Sequence, residues 1–251
     1  MKKIGVALNW TSIFIMRHPM QNMLNWNRPE NTVVNFFFGE GWCSANRHNN
    51  AVEQAMDWGA DYIVFGGCDH ICERDYLVKL VAHLEDGWDM ATGFVPSRGN
   101  LSRTGGVFQY MAYIGKDLPG KIPGWSYEDL ATTPRLWKNI RKKDTPSQEI
   151  NCIGSGCLAL KRKVFETVER PWFKEYLKPD NINYERTAIN DTSFVFRATY
   201  EHGFRLWLDT TIDICHLDLF AIDETYEARF QDKTGEERWH PIDTKMGSGK
   251  Y

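Results

Sequence analysis

Two short polar clusters hold the residues best suited to chemistry. Asp69 and His70 follow Gly66-Gly67-Cys68, and His216 opens the run His216-Leu217-Asp218. A carboxylate at a strand end, beside glycines, can hold a divalent cation close to a diphosphate, and the cation neutralises the charge that builds as the diphosphate leaves. The glycines let backbone and ligand approach closely. The same Asp-His pair can also be read as a solvated pair that caps the next turn. Asn9-Trp10-Thr11 is a third polar cluster.

These clusters matter only if the chain brings them together, and hydrophobic patterning gives the frame. Ile4 to Leu8, Val33 to Phe38 and Asp61 to Phe65 are apolar runs without alternation, as in buried parallel strands. Residues 44–58 read as a helix that stops at Gly59, and residues 74–86 as a second that stops at Gly87. Met90 to Val95 reads as a further strand. Helices follow over 163–168 and 191–202, and one strand over 204–214. Strand alternating with helix predicts an α/β domain with a largely parallel sheet. In such sheets ligands bind outside the carboxyl ends of the strands, where all three polar clusters fall.

Several common enzymes of this class are excluded. No Gly-x-Gly-x-x-Gly follows the first strand, and no Gly-x-x-x-x-Gly-Lys-Ser/Thr occurs. Gly154-Ser155-Gly156 lacks the spacing of a Gly-x-Ser-x-Gly elbow. A net charge of −3 gives no basic field for nucleic acid. The six cysteines have irregular spacing and no Cys-x-x-Cys, which argues against a zinc site and for reduced core thiols in a cytoplasmic protein. The apolar run at the N-terminus ends at Asn9, too soon for a signal peptide, and no stretch approaches a membrane span. The 10 Trp and 10 Tyr suit either a large aromatic core or a pocket that stacks on sugars or bases.

Three groups of segments, taken in order, resemble the GT-A glycosyltransferases of the family 2-like group. The first is Asn49-Asn50-Ala51-Val52-Glu53-Gln54-Ala55, then Gly59 to Phe65, then Cys68-Asp69-His70 and Asp75-Tyr76-Leu77. The second is Gly154-Ser155-Gly156-Cys157 with the following Leu158 to Phe165, and Pro171-Trp172-Phe173. The third is Asn190-Asp191-Thr192-Ser193-Phe194, then Gly203 to Asp209, then His216-Leu217. The resemblance covers roughly residues 3–96 and 150–220. It implies a mixed, mostly parallel GT-A (Rossmann-like) sheet flanked by helices, and a hexosyl or related transferase. It also implies a nucleotide-sugar donor bound with Mn²⁺ or Mg²⁺ on its diphosphate.

Residue by residue, the resemblance implies Asp69 and His216 as metal ligands and Asp191 as the general base. The alternative is that Asp191 caps its own helix. Asn9, Trp10, Arg47, Asn49, Gly67, Cys68, Arg98 and Gly156 fall where the nucleotide sugar would bind. Two departures stand out. The first acid of the Asp-x-Asp pattern falls on Gly67, with His70 as a candidate replacement. The family's Arg-Asn pair falls on His48-Asn49, with Arg47 displaced by one residue, about 100° around a helix. Arg47 is then either a phosphate ligand or a solvated side chain, and Trp10 either stacks on a base or packs in the core. The expected layout is one domain over 1–220, with an irregular acceptor-side insertion over 97–150 and a tail or lid over 221–251. The acceptor is a saccharide, a nucleobase or a lipid. The competing readings are a nucleotidyltransferase, and a degenerate GT-A domain that binds a sugar or a partner.

Overall fold

The run Ile4 to Leu8 forms the buried part of strand β1 (Lys2–Leu8). The computed structural model describes residues 1–9, 17–95, 112–115, 137–139, 146–174, 176–177, 186–187, 190–217 and 221–222. Strand β1 pairs in parallel with β2 (Thr32–Phe38) on one side and with β3 (Tyr62–Gly66) on the other. Leu8 lies opposite both Phe38 and Gly66, so the three carboxyl ends are level.

The remaining strands follow along the chain. Short β4 (His70–Cys72) and β5 (Met90–Gly93) come first, then β6 (Ala112–Gly115), β7 (Trp137–Asn139), β8 (Gln148–Ile150) and β9 (Cys152–Ile153). After them come β10 (Leu158–Lys161), β11 (Tyr176–Leu177), β12 (Arg186–Thr187), β13 (Leu206–Asp209), β14 (Ile214–Leu217) and β15 (Ala221–Ile222). The main sheet has seven strands in the order β2-β1-β3-β10-β5-β13-β8. Only β10 and β8 run against the others. This is the mixed, mostly parallel, helix-flanked sheet expected for a GT-A fold.

Helix α1 (Arg17–Leu24) was not predicted by the sequence pattern; α2 (Ser44–Asp57) and α3 (Tyr76–Glu85) were. Helix α2 buries Ala45, His48, Ala51, Val52, Ala55 and Met56. It lies so close to β1 that a Cβ on Gly5 would come within 2.8 Å of the Ala55 Cβ. The helix stops where Gly59 takes a left-handed φ of +82°. Helices α4 (Arg162–Thr167) and α5 (Asn190–Phe196) complete the set. Phe65, Phe165, Trp172, Phe173 and Phe194 form one ring cluster beneath α5 and beside β3. Each fully buried ring contributes about 1.5–3 kcal/mol by removal from water.

Three local expectations change. The helix expected over 191–202 is α-helical only to Phe196 and continues as a π-helical turn, Arg197–Glu201. Residues 148–150, expected inside an irregular insertion, form edge strand β8 of the main sheet. The strand expected over 204–214 is two strands. Alternation ends at Asp209, whose Oδ1 accepts hydrogen bonds from the Thr211 N–H (2.8 Å) and hydroxyl (2.7 Å). That Asx-type turn sends the chain out of the main sheet, and β14 then pairs antiparallel with β4.

Asp209 therefore sets the path to His216. Its Oδ2 lies 2.8 Å from His83 Nε2. Burial pushes the Asp209 carboxyl up, but hydrogen bonds from His83 and Thr211 outweigh it and hold the group well below the usual carboxylate range. A depressed folded value gives stability that is full above the unfolded pKa of about 4 and is lost as pH falls through the folded value. Asp209→Asn should therefore cost about 1–3 kcal/mol at pH 7. The gap from wild type should shrink as pH falls below about 4. Urea unfolding across pH checks this, and equal stabilities at pH 7 would contradict it.

Candidate functional site

The edge where β1, β2 and β3 end carries two groups of polar side chains. The first begins with Asn9, the residue after β1. Its Nδ2 donates to Ser44 Oγ (2.6 Å) and lies 3.0 Å from His48 Nδ1. Its Oδ1 accepts from Arg47 Nε (3.1 Å), and Arg47 Nη1 donates to the Gly41 carbonyl (3.0 Å). The one-residue displacement of Arg47 thus still leaves its guanidinium at the strand edge. His48 is buried, stacks on Phe173 at 4.6 Å, and its Nε2 lies 3.2 Å from Ser155 Oγ.

Asn49 sits differently. Its Nδ2 donates to the Phe173 carbonyl (2.8 Å), and its Oδ1 accepts from the Phe173 N–H (3.1 Å). The amide is spent on holding the Pro171-Trp172-Phe173 segment against α2, which is a packing role.

The second group is Asp69, His70 and His216. Strands β4 and β14 pair so that His70 and His216 lie opposite each other, and the Leu217 N–H donates to the Asp69 carbonyl (2.6 Å). Directly opposed residues on one face of a ladder meet, and the two imidazoles stack at 4.2 Å. Asp69 Oδ1 lies 2.9 Å from His70 Nδ1, and Oδ2 lies 3.2 Å from His216 Nε2. The three side chains are only 15 %, 7 % and 9 % exposed. This is no solvated turn cap. Burial pushes the Asp69 carboxyl up, but hydrogen bonds from His216 and His70, with their charge, pull it well below the usual range.

Gly67 and Gly156 make the slot for the His70 ring. A Cβ at Gly67 would lie 1.9 Å from His70 Nδ1, and one at Gly156 would lie 2.9 Å from His70 Cε1. Gly156 belongs to the short 3₁₀ turn Ser155–Cys157. That turn reaches the edge because β10 starts there and runs against β3 and β5. Helix α1 holds β4 from the other side. Asn22 donates to the Cys72 carbonyl (2.7 Å) and accepts from its N–H (2.9 Å).

The donor atoms of Asp69, His70 and His216 all lie within 4.8 Å of one another. One carboxylate and two imidazoles are a competent set for a divalent ion.

Of the other sequence candidates, Cys68 is half-buried in the turn between β3 and Asp69. Asp191 is on the first turn of α5, with its side chain outside the described residues, and Trp10 and Arg98 lie outside them as well. Sequence reasoning did not select Ser44, His48, Ser155 or Asn22. His48 had a signal, since it stands where the family that the sequence resembles has an arginine. All six cysteines are free thiols. No described helix is long and apolar enough to cross a membrane.

No family model matches the chain, and no curated protein does. Among solved structures it is similar to the crystal structure of A197 from STIV. The identity is 17 %, over 87 % of this chain and 86 % of that one, with a TM-score of 0.54. It also aligns with the crystal structure of GalNAc-T7 with UDP, GalNAc and Mn²⁺. There the identity is 10 %, over 86 % of this chain and 44 % of that one, with a TM-score of 0.46. The similarity to A197 speaks for the fold alone.

Asn49 separates packing from ligand binding. Asn49→Ala should lower the stability of the ligand-free protein by about 1–3 kcal/mol, through the unmet Phe173 backbone groups. Denaturant unfolding measures this, and an unchanged midpoint would return Asn49 to the ligand-binding set.

Proposed function

We propose that the chain is a glycosyltransferase that moves a sugar from a nucleotide-sugar donor to an acceptor hydroxyl. The observation that carries the reading is the Asp69, His70 and His216 cluster at the carboxyl edge of a mostly parallel sheet. The GT-A resemblance supports it. Its segments fall in order on β3 with the Asp69 turn, on the Ser155–Cys157 turn with β10, and on α5, β13 and β14.

In this reading Asn9 and Arg47 receive the nucleotide half of the donor. The Arg47 fork matches phosphate oxygens, and its bond to Asn9 orients it. Trp10, Cys68, Arg98 and the backbone at Gly67 and Gly156 complete that side. Asp69 and His216 would hold Mn²⁺ or Mg²⁺, which would supply positive charge against the departing diphosphate. Asp191 accepts the proton of the acceptor hydroxyl as its oxygen attacks the anomeric carbon and the bond to the diphosphate breaks. Support for this role is the packing of α5 against the Ser155–Cys157 turn. Residues 97–150 and 221–251 shape a saccharide acceptor site on a single domain over 1–220. Six thiols suit a reducing compartment such as the cytoplasm.

One feature favours a second reading. Gly67 removes an acid that the resemblance leads one to expect, which suits a degenerate domain that binds a sugar without transferring it. A panel of nucleotide sugars with Mn²⁺ separates the two. The transferase reading expects one donor to raise the melting temperature and to be hydrolysed slowly without acceptor. Stabilisation without turnover supports the binding module, and no effect from any donor removes both.

Asp191→Asn should lower transfer by about 10²–10⁴-fold while donor binding persists. Transfer at the wild-type rate would end the base assignment.

A further inference from the structure

Gly67 and His70 share one volume. The His70 ring fills the volume that any side chain at position 67 would enter, because even a Cβ there would lie 1.9 Å from Nδ1. The ring is held on a second side by Gly156, on a third by the stacked His216, and by Asp69 Oδ1 at 2.9 Å. A side chain at 67 would require the His70 ring to leave this slot.

We propose that His70 is a third metal ligand, and that Asp69, His70 and His216 bind a borderline transition ion before any nucleotide arrives. The site prefers Zn²⁺ and Co²⁺ over Mn²⁺, and Mn²⁺ over Mg²⁺. The inference rests on the metal-binding part of the proposed function and not on sugar transfer.

Three observations carry it. The first is spacing. Ligands about 2.0–2.2 Å from one ion are separated by about 3.0 Å at a right angle and about 3.4 Å at the tetrahedral angle. Asp69 Oδ1 stands 2.9 Å from His70 Nδ1, and its Oδ2 stands 3.2 Å from His216 Nε2. One ligand atom from each of the three residues lies within 4.8 Å of the others, so a small rotation of the rings toward one carboxylate oxygen would close the set on an ion.

The second is donor chemistry. Mg²⁺ keeps oxygen ligands and several waters, and gains little from imidazole. Two nitrogens and one oxygen favour later first-row ions, whose affinities rise from Mn²⁺ to Co²⁺ and stay high at Zn²⁺. The third is support. A single carboxylate with one histidine would lean on the diphosphate for its remaining ligands. Three protein ligands, fixed by the β4–β14 ladder and the Asn22 clamp on Cys72, need no such help.

The test uses the full chain, stripped with a chelator and titrated calorimetrically with ZnCl₂, CoCl₂, MnCl₂ and MgCl₂, without nucleotide. The expected result is one site per chain, with Mg²⁺ the weakest by at least tenfold. His70→Gln should weaken Co²⁺ binding at least tenfold while the far-UV spectrum and cooperative unfolding persist. A second measurement needs no variant. In the wild-type chain, Co²⁺ should shift the imidazole proton resonances of both His70 and His216, and leave those of His83 in place.

Binding that is equal in His70→Gln, Co²⁺ shifts confined to His216, or binding only when a nucleotide is present would each overturn the proposal. The two readings fail separately. Ions bound through His70 in a protein that turns over no donor would uphold this site and remove the transferase. Transfer with a metal affinity indifferent to His70 would do the reverse.

Discussion

A carboxylate taken out of water needs donors from its own chain, and Asp69 finds them in two imidazoles. Much of the local architecture follows from that requirement. His216 reaches Asp69 only because β14 leaves the main sheet and pairs with β4. The His70 ring fits only because positions 67 and 156 carry no side chain. The turn that bears Gly156 is at the edge only because β10 runs against its neighbours. An unmet buried charge costs several kcal/mol, so these features have to vary together or not at all.

The two polar groups at the sheet edge are not independent. His48 belongs to the Asn9 and Arg47 group, yet its Nε2 lies 3.2 Å from Ser155 Oγ. Ser155 is the neighbour of Gly156, which walls the His70 ring. Helix α2 and the metal-side turn are therefore joined through one buried imidazole, itself stacked on Phe173. Asn49 fixes Phe173 in turn. Of the adjacent residues His48 and Asn49, one ties the two halves of the edge together and the other secures the ring that His48 leans on.

The first half of the fold was legible because β1, β2 and β3 are apolar runs and because α2 and α3 are followed by Gly59 and Gly87, which take left-handed φ values. The order of Asp69, Asp191 and His216 was legible for the same reason, since each follows or opens a recognisable element. Pairing was not legible. Nothing in His70-Ile71-Cys72 announces a strand, and its partner was hidden inside a longer alternating run that Asp209 interrupts. The meaning of Gly67 was legible only as a loss, because the ring that fills its space comes from three residues later. Asn49 matched a motif by position, but its side chain is claimed by a backbone 124 residues away. Sequence order carries the identity of such residues, whereas their partners are set by tertiary approach.

The contact between Asp69 and His216 spans 147 residues of chain. Closing so long a loop costs about 4 kcal/mol from its length alone, and β4 is too short to recruit a partner by itself. The central strands must already be docked before β14 can find β4. The last strand of the main sheet, β13, ends at Asp209, and His216 follows seven residues later. A chain cut between Thr210 and Cys215 would keep every strand of that sheet and lack the residue that completes the Asp69 cluster.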